Sequence, residues 1–248
     1  GLIVYALIAT IVLFVILDRF VAPRLPQPLD RGVFVQGAYR SNMGIIGLAF
    51  CLSAFGESVV TVASIYLAVM TTLFNVLAVI TLTRHQVQQV NQGSIATVLV
   101  GILKNPLILA ICAGVTISLS GIEVSRILLN TGSYFAQMTL PLALLCAGAS
   151  IRLREFQASP PLYWSVLGKL LLMPLLITVG GILIGLRGEN LGVLYLMCAA
   201  PTAAASYPMA QAMKANHHLA AAIIAATSLG SMISTTLGIF LLRIFELI

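Results

Sequence analysis

Charged side chains are scarce in this 248-residue sequence, in which Lys, Arg, Asp and Glu together make up 8% of the residues. Hydrophobic residues make up 60%, and the mean hydropathy is +1.06. A soluble globule of this size exposes a surface that so few polar side chains cannot cover. The composition therefore excludes a soluble globular protein and predicts one that lies in a lipid bilayer.

Cysteine is also rare, and its positions carry no metal or redox pattern. Cys51, Cys112, Cys146 and Cys198 lie inside apolar stretches without a CxxC pair, so we interpret them as small buried hydrophobic residues. This excludes a disulfide framework, and neither a metal nor a cofactor is expected. The formal charge of +6 comes from basic residues in short connections between apolar runs, so nucleic acid is not an expected partner.

Long apolar runs dominate the rest of the sequence. A hydrocarbon core about 30 Å thick requires about 20 apolar residues per helix. On this basis the chain divides into eight membrane spans, separated by short connections rich in Pro and Gly. The spans run from Gly1 to Val21, Val33 to Phe55, Val59 to Leu82, Ser94 to Leu119, Gly132 to Ile151, Leu162 to Leu186, Leu191 to Met213 and Leu219 to Leu242.

Basic residues are distributed unevenly between the two sides of the predicted helices. Ten fall on one side and only Arg126, Arg187 and Arg243 on the other. Because cytoplasmic loops collect Lys and Arg, the larger group is placed in the cytoplasm of an inner-membrane protein, and both ends of this chain are placed outside. The larger group consists of Arg19, Arg24, Arg31, Arg40, Arg84, Lys104, Arg152, Arg154, Lys169 and Lys214.

Two stretches of the chain are similar to each other. Residues 38–73 and residues 199–237 each contain a span interrupted by Gly or Pro, a short turn, and a smooth span that ends in Thr-Thr-Leu. An offset of five helices would invert the second copy in the bilayer, as in the inverted repeats of secondary transporters. Chance similarity between two Ala- and Thr-rich helix pairs is the alternative.

The repeat also predicts the organisation of the chain. Residues 1–248 form a single transmembrane domain, with residues 1–82 as a partial first repeat and residues 94–245 as the second. The fourth and fifth spans then lack partners near the N-terminus. We therefore expect that two helices precede Gly1 and that the first two of ten are missing here.

Four strings resemble one known family. They are YRSNMGIIGL, ILKNPLILAICAG, LPLALLCAGASI and APTAAASYPMAQAM, and they resemble the bacterial permeases of the auxin efflux carrier family, relatives of the plant PIN-FORMED auxin transporters. Their order fits the third to tenth helices of that family. The resemblance implies two inverted five-helix repeats, crossing broken helices in the fourth and ninth places, and transport of small carboxylates.

The second span carries the first group of candidate site residues. An interrupted helix exposes backbone N–H groups and carbonyls, which hold ions without a fixed charge. Gly44 and Gly47 permit either an unwound turn or close helix packing, and we favour the unwound turn because Asn42 beside them is costly in lipid without a cavity or partner. The resemblance assigns the crossover Asn of the family to Asn42. Arg40 either attracts an anion or snorkels to the headgroups, and snorkelling is favoured.

The seventh span carries the second group. Pro201 and Pro208 predict a kink, because each proline removes an N–H and frees an upstream carbonyl. Thr202 and Ser206 supply hydroxyls that either contact substrate or bond back to the helix. Asn105 precedes Pro106 and could act as a helix cap; the resemblance places it near the substrate pocket.

These observations predict a secondary transporter of a small organic anion, such as a mono- or dicarboxylate or an auxin-like acid, that works by alternating access. An anion channel, or another membrane protein without coupled transport, is the alternative. A membrane enzyme is not expected, because no His, Asp or Glu accompanies the nucleophilic side chains at membrane depth.

The partners follow from the same prediction. They are a small carboxylate and the lipid bilayer, with a homodimer left open. No Asp or Glu lies clearly inside a span, so a coupling ion, H+ or Na+, would be held by carbonyls, hydroxyls and amides, or by the missing helices, unless transport is uncoupled.

Overall fold

The computed structural model of the protein describes residues 1–87, 106–121, 124–150 and 159–248, and these are almost entirely helical. Within these ranges there is no β-strand, which confirms the prediction of an all-helical membrane protein. The helices are α1 (Leu2–Ile16), α2 (Pro28–Tyr39), α3 (Leu48–Phe55), α4 (Val60–Val87), α5 (Pro106–Ser120), α6 (Arg126–Ser150), α7 (Pro160–Leu167), α8 (Met173–Leu183), α9 (Gly188–Ala199), α10 (Ser206–Ala212) and α11 (His217–Ile244).

Four helical stretches among the described residues are long and apolar enough to cross a membrane. Many of their large apolar side chains are exposed, as expected for surfaces in contact with lipid. The count of eight spans and the inverted repeat stay predictions, and the predicted fourth span lies partly outside the described residues. The four stretches are Leu2–Arg24, Met43–Gln86, Pro160–Leu183 and His217–Ile244.

Helices α2 and α9 form the centre of the molecule. Every residue from Gly32 to Tyr39 of α2, and from Leu191 to Ala199 of α9, is buried. Helix α2 packs against α4, α7 and α11, whereas α9 packs against α3, α8 and α11. These stretches are therefore covered by other helices rather than by lipid, and both helices end in the middle of the molecule.

Short π-helical turns occur at three places in the described chain. They span Leu17–Val21 after α1, Met43–Gly47 before α3, and Gly168–Leu172 between α7 and α8. Such turns are rare and often coincide with functional positions. The first contains Asp18, the second follows Asn42, and the third contains Lys169.

Asp18 corrects the expectation that no acidic residue lies clearly inside a span. Its side chain is buried in the first apolar stretch and faces α4. It accepts a hydrogen bond from Thr81 Oγ1 at 2.6 Å, forms an ion pair with Arg84, and lies 2.9 Å from His85 Nε2. A carboxylate at this depth is retained because charged and polar partners replace the water it has lost.

The cysteines are free thiols where the structure describes them. Cys51 and Cys198 are buried, as predicted, but Cys112 is exposed on α5, so the burial prediction is wrong for that residue. Cys146 has a side chain outside the described part. Among the described residues there is no group of three or more potential metal ligands.

Candidate site at the interrupted helices

The two interrupted helices meet through their backbones. Helix α2 ends at Tyr39, and helical winding resumes at Met43; α9 ends at Ala199, and winding resumes at Ser206. The backbone N–H of Asn42 donates to the Pro201 carbonyl at 2.7 Å, and the N–H of Ala203 donates to the Arg40 carbonyl at 3.0 Å. These bonds form an isolated antiparallel bridge, which satisfies polar groups that the interruptions would otherwise leave unpaired.

The residues predicted to break the helices divide into two groups. Pro201 lies inside the second interruption, whereas Pro208 lies in the first turn of α10, where a missing N–H costs little. Gly44 and Gly47 lie in the π turn that follows Asn42, so neither is an unwound residue. A Cβ atom on Gly47 would lie 3.0 Å from Met197 Sδ, which supports the close-packing alternative for this glycine.

Thr202 and Ser206, the two hydroxyl residues predicted to contact substrate, are both buried. Neither lines the cavity that lies beside the two interruptions. Thr202 Oγ1 donates to the Gly37 carbonyl at 2.7 Å, and the Thr202 N–H donates to Thr227 Oγ1 at 3.1 Å, so this residue joins α2 and α11. Ser206 is buried at the start of α10, and its Oγ has no hydrogen-bond partner among the described residues. A direct contact of either hydroxyl with substrate stays a prediction.

A cavity of about 180 Å³ lies beside the backbone bridge. Its lining consists of residues 40–45, Thr71 and Phe74 of α4, and residues 203–205. The first N–H groups of a helix lack intrahelical partners and carry the positive end of its dipole. The lining therefore includes Arg40 and Asn42 beside the N-terminus of the helical stretch that ends at Phe55.

Arg40 does not snorkel to the membrane surface, which corrects the favoured expectation. Its side chain is buried, and Nη1 donates to Gln36 Oε1 at 2.7 Å, while Nη2 donates to Asn75 Oδ1. Nη1 also contacts Met209 Sδ at 2.7 Å, so all three partners are neutral. The guanidinium group thus joins α2 to α4 and keeps its positive charge beside the cavity.

Lys169 is the residue that sequence reasoning missed. It was counted among the loop residues of the cytoplasmic side, but its side chain is completely buried next to the bridge. Its Nζ donates to the Cys198 carbonyl at 2.8 Å and to Ser41 Oγ. The signal was present, since Lys169 is the only charged residue within the sixth predicted span, and an ionisable residue at such depth marks a functional position by default.

The orientation count changes with these two corrections. Without Arg40 and Lys169, eight basic residues remain on the predicted cytoplasmic side against three on the other, so the bias persists. Inner-membrane location and the placement of both ends outside stay predictions. Asn105, the last predicted site residue, lies outside the described residues.

A comparison with family models identifies the chain over most of its length. The model described as "Membrane transport protein" matches residues 1–239. Comparison with curated proteins and with solved structures gave no match. The matched range contains both interruptions, the residues that line the cavity, and Lys169. The candidate site therefore lies inside the region that defines the family. The chain therefore belongs to the membrane transport protein family, which is that of the auxin efflux carriers.

Proposed function

We propose that this membrane transporter is a secondary carrier of a small organic anion, such as a mono- or dicarboxylate or an auxin-like acid, and that it works by alternating access. The substrate would bind in the cavity beside the interrupted helices. The observation that supports this best is the buried Arg40 at that cavity, because its charge has only neutral partners among the described residues.

The charge balance around the cavity favours an anion. Arg40 and Lys169 are both buried near the bridge, and neither forms an ion pair with a carboxylate within the described ranges. The buried carboxylate of Asp18 is instead paired with Arg84. A buried positive charge without a negative partner is costly, and of these two residues Arg40 is the one that lines the cavity. A bound carboxylate would offset part of that cost.

The size and lining of the cavity favour a small substrate. Its volume of about 180 Å³ exceeds the roughly 10–15 Å³ that a single water requires and is smaller than the roughly 300 Å³ of pockets for drug-sized ligands. The Asn42 amide and the free N–H groups of the second half-helix can donate to carboxylate oxygens. Arg40 supplies the opposite charge.

The arrangement of the interruptions suits alternating access. Two half-helices end at the bridge and two others begin there, so the packed helices around them can move while the backbone bridge stays in place. A channel would instead need a continuous path that is open to both sides at once. Saturable uptake with counterflow distinguishes the carrier from the channel.

The test uses purified protein in proteoliposomes and a panel of labelled small acids, including an indole carboxylate. The wild type should show saturable uptake and counterflow of at least one acid, and Asn42→Ala should lower uptake about tenfold, which is the loss expected for a hydrogen bond to a charged group. Asn190→Ala changes the same side chain at an exposed position and should transport normally.

Two results would contradict the proposal. Wild-type kinetics in Asn42→Ala would remove Asn42 from the site, and flux that never saturates would indicate a channel. Thermal unfolding of each variant in detergent separates a loss of binding from a loss of folded protein.

A further inference from the structure

Lys169 occupies an unusual position for a lysine. Its side chain is completely buried in the π-helical turn between α7 and α8, within a stretch long and apolar enough to span the membrane. Lysines near span ends normally extend to the headgroups. Lys169 instead points to the centre of the protein, where the two interrupted helices meet.

The contacts of its ammonium group resemble the ligands of a bound cation. Lys169 Nζ donates to the Cys198 carbonyl at 2.8 Å and to Ser41 Oγ, and Ser41 Oγ itself donates to the same carbonyl at 3.0 Å. Cys198 lies in the last turn of α9, where unpaired carbonyls carry the negative end of the helix dipole. Carbonyl and hydroxyl oxygens at the end of a broken helix are the groups that hold coupling cations in carriers of this general design.

The ammonium also connects the two interruptions. Ser41 belongs to the first one, and Cys198 lies one residue before the end of the helix that leads into the second. The ammonium group thus links the first interruption to the end of α9. No carboxylate pairs with Lys169 within the described residues.

We propose that the Lys169 ammonium is a tethered cation that occupies the cation position of the interrupted helices and holds them together, so that no free metal cation binds there. Lys169 is thus a positioning residue. The inference rests on the proposed function only for its expected effect on uptake. Its structural part concerns the fit of a primary ammonium ion between Ser41 and Cys198 and does not depend on the substrate.

Chemical rescue provides the sharpest test. In Lys169→Ala the space of three methylenes and the ammonium is vacated, and propylammonium has those same atoms. We expect this variant to have a lower melting temperature than the wild type, and we expect propylammonium to restore it. Tetramethylammonium, which has the same charge but no N–H, should not. Neither ion should stabilise the wild type or Lys214→Ala, which removes an exposed lysine.

Lys169→Met is the second variant and keeps the volume of the side chain. It removes the donor without opening space, so it should stay folded, lose about tenfold in uptake, and show no response to propylammonium. This variant also decides the question if Lys169→Ala does not fold.

Three outcomes would overturn the proposal. They are wild-type uptake by Lys169→Met, no stabilisation of folded Lys169→Ala by propylammonium, and equal stabilisation by tetramethylammonium. If the wild type transports none of the acids, the proposed function fails, but the melting temperatures still decide whether Lys169 fills a cation position.

Discussion

The backbone N–H of Asn42 donates to the carbonyl oxygen of Pro201 across a distance of 2.7 Å, although 159 positions separate the two residues in the sequence. This bond and its companion from Ala203 to Arg40 involve only backbone atoms. The bridge is thus formed by the peptide groups themselves, and the side chains at the same positions make further contacts. We refer to the bridge and these side-chain contacts together as the junction of the interrupted helices. Thr202 and Arg40 illustrate this in two different ways.

Thr202→Val should weaken the junction without changing its shape. The substitution is nearly isosteric and leaves the buried Gly37 carbonyl without the hydroxyl donor that lies 2.7 Å away. An unsatisfied buried acceptor costs about 1–3 kcal/mol. We expect the free energy of unfolding in detergent to fall by that amount, as measured by thermal or denaturant unfolding.

The control for this variant is Thr236→Val. Thr236 is exposed, and its hydroxyl bonds only to the Met232 carbonyl of its own helix. Its replacement should change stability by less than about 0.5 kcal/mol. Equal effects of the two substitutions would mean that the bond to Gly37 does not hold the junction.

The variants Arg40→Lys and Arg40→Met should show whether anion binding depends on the positive charge of Arg40 or also on the shape of its guanidinium group. Lysine keeps the positive charge but has no planar fork with which to reach both Gln36 and Asn75. We expect Arg40→Lys to raise the KM for the transported anion several-fold, about 1 kcal/mol of binding, whereas Arg40→Met should reduce uptake further. Uptake kinetics in proteoliposomes provide the measurement.

Arg126→Met serves as the control, because Arg126 is exposed at the start of α6. It removes the same charge from a residue that does not line the cavity and should leave the KM unchanged. If Arg40→Met kept the wild-type KM, the positive charge beside the cavity would have no part in binding the anion.

The sequence predicted that these two spans are interrupted, but it placed the first interruption at Gly44 and Gly47 rather than at residues 40–42, and it did not predict the partners of the charged residues. Pro201 and Asn42 are local signals, since a missing N–H or a polar amide in an apolar span has a meaning that depends only on near neighbours. Lys169 and Arg40 were assigned to the membrane surface because their charges suggested loops. Their actual partners, such as Cys198 and Asn75, lie far away in sequence and are brought close only by the packing of helices.

Asp18→Asn should destabilise the contact between the first span and α4. Arg84 and His85 would lose the carboxylate they face, and the amide cannot replace its charge. Breaking one partner of a buried pair costs about 3–5 kcal/mol, and the partial exposure of Arg84 lowers the expectation to about 2–3 kcal/mol. The measurement is the free energy of unfolding in detergent.

Two further variants test this explanation. Glu57→Gln neutralises an exposed acid and should change stability by less than about 0.5 kcal/mol. Adding Arg84→Gln to Asp18→Asn should cost less than the sum of the two single changes, because the charge left unpaired by the first is removed by the second. Simple additivity would show that the ion pair contributes nothing.

Gly32→Ala should push α2 away from α4. A Cβ atom on Gly32 would lie 3.1 Å from Leu82 Cα and 3.2 Å from the Thr81 carbonyl oxygen, and neither backbone atom can move aside as a side chain can. Overpacking of this kind costs about 1–3 kcal/mol, whereas the higher helix propensity of alanine returns less than about 1 kcal/mol. We therefore expect a net loss of stability, measured as a lower melting temperature in detergent.

Gly114→Ala is the matched control, since it lies in helix α5 with no atom within 4 Å of the added Cβ among the described residues. There the propensity term acts alone, so stability should stay equal or rise slightly. A Gly32→Ala protein as stable as Gly114→Ala would show that α2 does not need backbone contact with α4. In that case the position of the first interruption would depend on the bridge to Pro201 and on Arg40 instead.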